Sequence, residues 1–216
     1  MKLKSLLRHI AMWFVLIGSL IMTSCDSFNE DLLECRLFVK FKYDYNMEFA
    51  DAFHSQVDKV ELYVFDKDGK FLFKQAEEGS TLGTGSYLME VKLPVGQYQF
   101  MAWAGAHDSY DITSLQAGVS SITDLKLQLK REETLIIDKE LEPLWYGEIN
   151  NVDFTGTTDQ TEVINLIKDT NKVRFVFQGS NEDSWGVDVN AYTYEIIESN
   201  GYLAHDNSLL GDDNLS

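Results

Sequence analysis

The sequence has 216 residues and a formal net charge of −17 at pH 7, from 35 acidic against 18 basic side chains. So acidic a surface repels nucleic acid and anionic lipid, which excludes both as partners. With 44% hydrophobic and 12% aromatic residues and only two prolines, the composition is that of a core-forming globular chain and not of a low-complexity one.

In chain order, the first signal is for export. Lys2, Lys4 and Arg8 precede an uncharged, mostly apolar run over residues 10–22, which ends at Thr23-Ser24-Cys25; this is the pattern of a secretory signal. As a helix the run rises only about 20 Å, short of the roughly 30 Å hydrocarbon core, so it is expected to be cut and not to span a membrane. Small residues followed at once by cysteine resemble a bacterial lipobox, with Met22 where leucine is commoner. On that reading residues 1–24 are the signal peptide and Cys25 is the acylated first residue of the mature chain. Residues 25–35 are then an acidic tether, with Asp26, Glu30 and Asp31 too polar to pack a core. Loss of the three basic residues of the signal leaves 15 basic against 35 acidic side chains, a net charge near −20. Cys35 is the other cysteine; it reads as a small apolar residue packed at a domain edge, and two cysteines are too few for a zinc or thioredoxin-type centre.

From Arg36 the chain alternates, with Leu37, Val39, Phe41 and Tyr43 on one face, which predicts a half-buried strand. Met47, Ala50 and Phe53 recur at helical spacing and predict a short helical crossing. Residues 57–65 and 71–73 flank Asp66-Lys67-Asp68-Gly69-Lys70 and predict a β-hairpin in which Gly69 supplies a positive φ. The same acids do not continue as a calcium loop, because position 70 is lysine. Gly83-Thr84-Gly85 lacks the third glycine and the strand-to-helix setting of a phosphate cradle. Residues 87–93 and 97–104, joined through Pro94-Val95-Gly96, predict two adjacent antiparallel strands. Residues 125–130 and 144–149 complete seven short strands, an antiparallel sandwich over residues 36–155 with Val60, Leu62, Val64, Phe100, Ala102, Leu125 and Leu127 inside.

Residues 150–159 turn polar and rich in glycine and threonine, the expected domain boundary. Beyond it, residues 161–167, 172–177 and 192–198 read as strands, with Asn200-Gly201 as a hairpin turn. So few strands cannot close a sandwich, so residues 156–216 are expected to form an incomplete second one. Val163, Ile164, Leu166, Val173, Phe175, Phe177, Tyr192, Tyr194 and Ile196 would then lack cover, and an open edge would recruit strands.

No catalytic motif stands out. His9, His54, His107 and His205 have no metal-ligand spacing, there is no Gly-x-Ser-x-Gly elbow, and the carboxylates are scattered. The chain is expected to be no enzyme and to need no cofactor.

Several blocks resemble one family. These are the lipobox cysteine with its acidic tether, then Val39-Lys40-Phe41-Lys42-Tyr43-Asp44-Tyr45-Asn46-Met47 with Phe49-Ala50-Asp51-Ala52-Phe53. Val57-Asp58-Lys59-Val60, Leu62-Tyr63-Val64-Phe65-Asp66, the stretch from Leu93-Pro94-Val95-Gly96 to Trp103-Ala104-Gly105, and Asp169-Thr170-Asn171-Lys172-Val173-Arg174 follow. Together they are similar to the FimB/Mfa2-type fimbrial anchor lipoproteins, the minor fimbrial subunits of the Bacteroidales. The resemblance implies two transthyretin-like antiparallel β-sandwich domains in series, an outer-membrane lipid anchor at the cell surface, and non-catalytic anchoring or assembly of fimbriae in cell adhesion. It implies fimbrial subunits as partners, met through sheet-edge pairing. Members run longer than this chain, so the second domain is expected to be incomplete. The alternative is a glycan-binding surface lipoprotein presenting Trp103, Trp145 and Trp185 as a platform, although Trp103 within an alternating strand reads better as core.

Overall fold

The computed structural model describes residues 35–131, 136–137, 139–176, 188–198 and 200–211. The expected signal, the acylation site Cys25, Phe177 and Trp185 lie outside the described residues. In chain order the strands are β1 (Leu37–Lys42), β2 (Lys59–Asp66), β3 (Phe71–Glu78), β4 (Met89–Val91), β5 (Gly96–Ala104), β6 (Tyr110–Ile112), β7 (Leu127–Leu129), β8 (Trp145–Phe154), β9 (Gln160–Asn165), β10 (Ile167–Lys168) and β11 (Tyr202–Leu203). A single helical turn, α1 (Phe53–Gln56), follows β1. The described residues are therefore mostly β, with almost no helix.

Three sheets form. One is ordered β4-β1-β9, the second β10-β8-β5-β2-β3 and the third β11-β7-β6. The five-stranded sheet lies in the middle because both of its faces are apolar. Val60, Leu62 and Val64 of β2, with Phe100 and Ala102 of β5, face Leu37, Val39 and Phe41 of β1 in one core. The intervening Tyr63, Phe65, Met101 and Trp103 face Leu125, Leu127 and Leu203 in another. A strand buried on both faces reads as a continuous apolar run, as residues 62–65 do. Each fully buried Leu or Val contributes roughly 1.5–3 kcal/mol. All seven residues expected inside are buried, but Leu125 and Leu127 belong to the second core.

Several expectations need correction. The sandwich is not wholly antiparallel: β9 runs parallel to β1, Phe41 beside Ile164, after a long crossover of the kind parallel pairing requires. The expected boundary at 155/156 falls in the turn between β8 and β9, and both strands belong to the same body. Ile164 and Leu166 are fully buried in the first core. The strands on either side of Pro94-Val95 are not neighbours, because β4 pairs with β1 and β5 with β2 and β8. The turn carries the chain from one sheet to another, and the Tyr98 hydroxyl donates to the Pro94 carbonyl at 2.7 Å to fix the corner. Met47 and Ala50 do not continue the helical face of Phe53. Asn46 instead bonds the carbonyls of Tyr43 and Ala50, both at 2.8 Å, and Phe49 takes φ 55°, which breaks any helix. Residues 172–176 and 192–198 pair into no sheet, having no partner strand among the described residues. The tight turn near the end comes after Asn200-Gly201, where Leu203 bridges Leu209 and Asn207 takes φ 62°. β6 was not anticipated.

Candidate interaction surface

Gly69 has φ 77° at the β2–β3 turn, and Asp66 Oδ1 accepts from the backbone N–H groups of Asp68 and Lys70 at 2.9 and 2.8 Å. These carboxylate contacts build a turn and not an ion site; among the described residues no cluster of three or more His, Cys, Asp or Glu could hold a metal. Cys35 is half-buried against the first core. His107 faces Asp58 with Nε2 2.9 Å from Oδ1, and His54 lines the same cavity as this pair. Trp103 and Trp145 are 0% and 1% exposed, so neither can serve a flat glycan platform.

The charged group that the strand pattern hides is Glu61, 8% exposed in the middle of β2. Its oxygens accept from Tyr63 Oη at 2.8 Å and Lys74 Nζ at 3.1 Å, and Lys59 Nζ stands 3.9 Å away. Burial and then the neighbouring carboxylate push the Tyr63 phenol well above its ordinary value. A charge amid apolar strand residues is the one signal that marks it, and its paired state makes it structural. Asp169, just after β10, is pushed up to about 6 by burial, with Asn207 Nδ2 donating to it at 2.8 Å.

Most sheet edges are protected, β9 being the exception: it is an edge of the first sheet, six residues long, with Glu162 as its one charge. β3, an edge of the five-stranded sheet, carries Lys74, Glu77 and Glu78, and β4, β6, β10 and β11 are two or three residues long. Charges and short lengths are how natural sheets blunt their edges. The apolar surface lies elsewhere. Between Lys168 and Tyr202, Val173, Phe175, Tyr192 and Ile196 are 69%, 61%, 58% and 67% exposed, with Val176, Tyr194 and Ile197 similar. Ile164 and Leu166, expected among them, are instead buried.

A second apolar projection adjoins the point where this segment leaves the sandwich. Tyr45, Met47 and Phe49 are exposed on the loop after β1. That loop is held by Asn46 and by Asp51, whose Oδ1 accepts from Tyr43 N and Phe53 N at 3.0 and 3.1 Å. Because β9 runs parallel to β1 and Leu166 N donates to Lys42 O at 2.7 Å, residues 43–51 and 169–176 emerge at the same end. Cys35 marks the opposite end, where Arg36 and Asp159 are paired at 2.7 Å. Exposed apolar residues gathered in this way mark candidate interaction sites. Among the described residues no helix is long and apolar enough to cross a membrane.

The sequence profile of the fimbrillin-A associated anchor proteins Mfa1 and Mfa2 matches residues 32–216. Among solved structures, a candidate polysaccharide-binding protein of Bacteroides thetaiotaomicron is 76% identical with a TM-score of 0.80, over 83% of this chain and 63% of that one. A candidate adhesin of Bacteroides ovatus is 28% identical with a TM-score of 0.70, over 87% and 62%. The fimbrial anchor protein Mfa2 of Porphyromonas gingivalis shares the fold at 23% identity and a TM-score of 0.50, over 62% and 50%. The chain thus spans less than two thirds of these relatives' length. A comparison with curated proteins gives no significant match.

Proposed function

This chain belongs to the family of fimbrillin-A associated anchor proteins, and from that premise we propose that it holds a fimbrium at the cell surface, as a lipid-anchored, non-catalytic base. The acyl group on Cys25 secures it to the outer membrane, and residues 25–35 act as the tether. The sandwich is a rigid spacer, and a fimbrial subunit docks on the apolar residues between Lys168 and Tyr202. The second β-sandwich of the transthyretin-like pair is placed after Lys168 and not at residue 156, which lies in the turn between β8 and β9.

One observation carries this reading. Exposed apolar side chains are concentrated in residues 171–176 and 192–198, outside any sheet, while every edge of the sandwich but β9 is charged or short. A partner strand laid on such a segment gains backbone hydrogen bonds, while side-chain pockets supply selectivity. The test is complementation of a strain lacking the gene. The wild-type chain retains fimbriae on the cells, whereas Phe175→Asp with Ile196→Asp sheds them into the medium at unchanged protein level. Equal retention by the two chains contradicts the proposed docking segment.

A further inference from the structure

A cavity of about 580 Å³ opens between α1, the turn after β3, the end of β5 and the residues leading into β8. Its volume falls within the roughly 300–1,000 Å³ usual for small-molecule sites. The floor is Pro143, with Trp145 buried beneath it. At Gly105 (φ 71°) an added Cβ would sit 2.1 Å from the Pro143 carbonyl oxygen and 2.8 Å from Trp145 Cζ3. Only glycine fits there, and it keeps the floor open. Gln56, Asp58, His107 and Glu142 stand around this floor, with the Asp58–His107 pair at 2.9 Å fixing the orientation of both side chains.

The lining mixes amide, imidazole and carboxylate groups, donors together with acceptors, over a small apolar patch. Hydroxyl groups, which both donate and accept, complement such a wall. Two carboxylates in a chain of net charge −17 oppose an anion, and no metal-holding cluster exists among the described residues. We propose that this cavity binds one neutral sugar residue of a glycan, through hydroxyl hydrogen bonds to Asp58, His107 and Gln56 over Pro143. The site shares no lining residue with the segment on which a fimbrial subunit docks, and its test is independent of that contact.

The test titrates the full chain, kept in a zwitterionic detergent so that no sugar headgroup competes, with D-glucose, D-galactose, D-mannose, N-acetyl-D-glucosamine and their homodisaccharides, read by calorimetry and saturation-transfer NMR. At least one probe should bind saturably. His107→Ala and Asp58→Ala should each weaken it tenfold or more, and Lys67→Ala at the β2–β3 turn should leave it unchanged. In the wild-type chain the bound probe should shift the amide signals of Gly79, Gly83 and Gly105, a readout that needs no variant to fold. Failure of every probe to saturate overturns the proposal. So does saturable binding that leaves those amides unmoved, or that survives both substitutions.

Discussion

Truncating Ile164 to alanine tests whether β9 is part of the first sandwich. Ile164 is 0% exposed, sits beside Phe41 across the parallel β1–β9 pair, and approaches β8 so closely that a Cβ on Gly147 would lie 2.5 Å from its Cγ2. The substitution removes three carbons, about 2.4 kcal/mol of transfer free energy at roughly 0.8 per group. A backbone held on both sides cannot collapse into the space, so a cavity cost adds to this, giving about 3–4 kcal/mol within the 2–5 usual for Ile→Ala. For a chain of this size that lowers Tm by about 6–16 °C. Urea unfolding followed by the fluorescence of buried Trp103 and Trp145 is the assay, with an unchanged m-value confirming that stability alone has moved. Val163→Ala, on the partly exposed opposite face, should cost less than about 1 kcal/mol. A loss below about 0.5 kcal/mol for Ile164→Ala would mean that β9 does not pack on β1, and would restore a domain boundary at 155/156.

Asp169 gives a pH signature. With its folded value near 6 against an ordinary 3.8, the folded chain keeps a proton that the unfolded chain has released. The stability this contributes is present in full below about pH 4 and is lost as pH rises through 6, a change on the order of 2–3 kcal/mol. Asp169→Asn should remove that component, so the difference between the two chains' unfolding curves should fall between pH 4 and 6 and be flat above. Gly105→Ala combines a positive φ with overlap against Pro143 and should cost at least about 2 kcal/mol, read as a thermal shift. Cys25→Ala should move the chain from the membrane fraction to the soluble one; persistence in the membrane fraction would contradict the anchor.

How much of this was legible depends on the range of the interaction. β1 and the β2–β3 hairpin follow from alternation and from Gly69, both local. The double burial of β2 was visible as the apolar run over residues 62–65, but what covers its second face lies in β6, β7 and β11, too short to carry a period. Pro94-Val95 announces a turn without saying that the chain changes sheets there. The β1–β9 pair joins residues more than 120 positions apart, beyond any local pattern, and a polar turn at residues 155–159 imitates a domain boundary. Met47, Ala50 and Phe53 have helical spacing, yet Asn46 takes the loop's carbonyls and Phe49 turns left-handed. The apolar residues of 171–198 were legible as apolar; that Ile164 and Leu166 differ from them in burial required the partner strand. Trp103 was readable as core from its place in an alternating strand, whereas Glu61 shows its partners only once β3 brings Lys74 alongside.

The central claim is direct contact between residues 171–198 and a fimbrial subunit, and site-specific photocrosslinking tests it most directly. A photoreactive phenylalanine analogue at position 175 or 196, in the full chain on fimbriated cells, should form an adduct whose partner is identified by mass spectrometry as a fimbrial subunit. The same analogue at Glu77, on the charged edge of β3, should form none. Crosslinking from Glu77 with silence at 175 and 196 would contradict the account and place the contact on the sandwich edge instead.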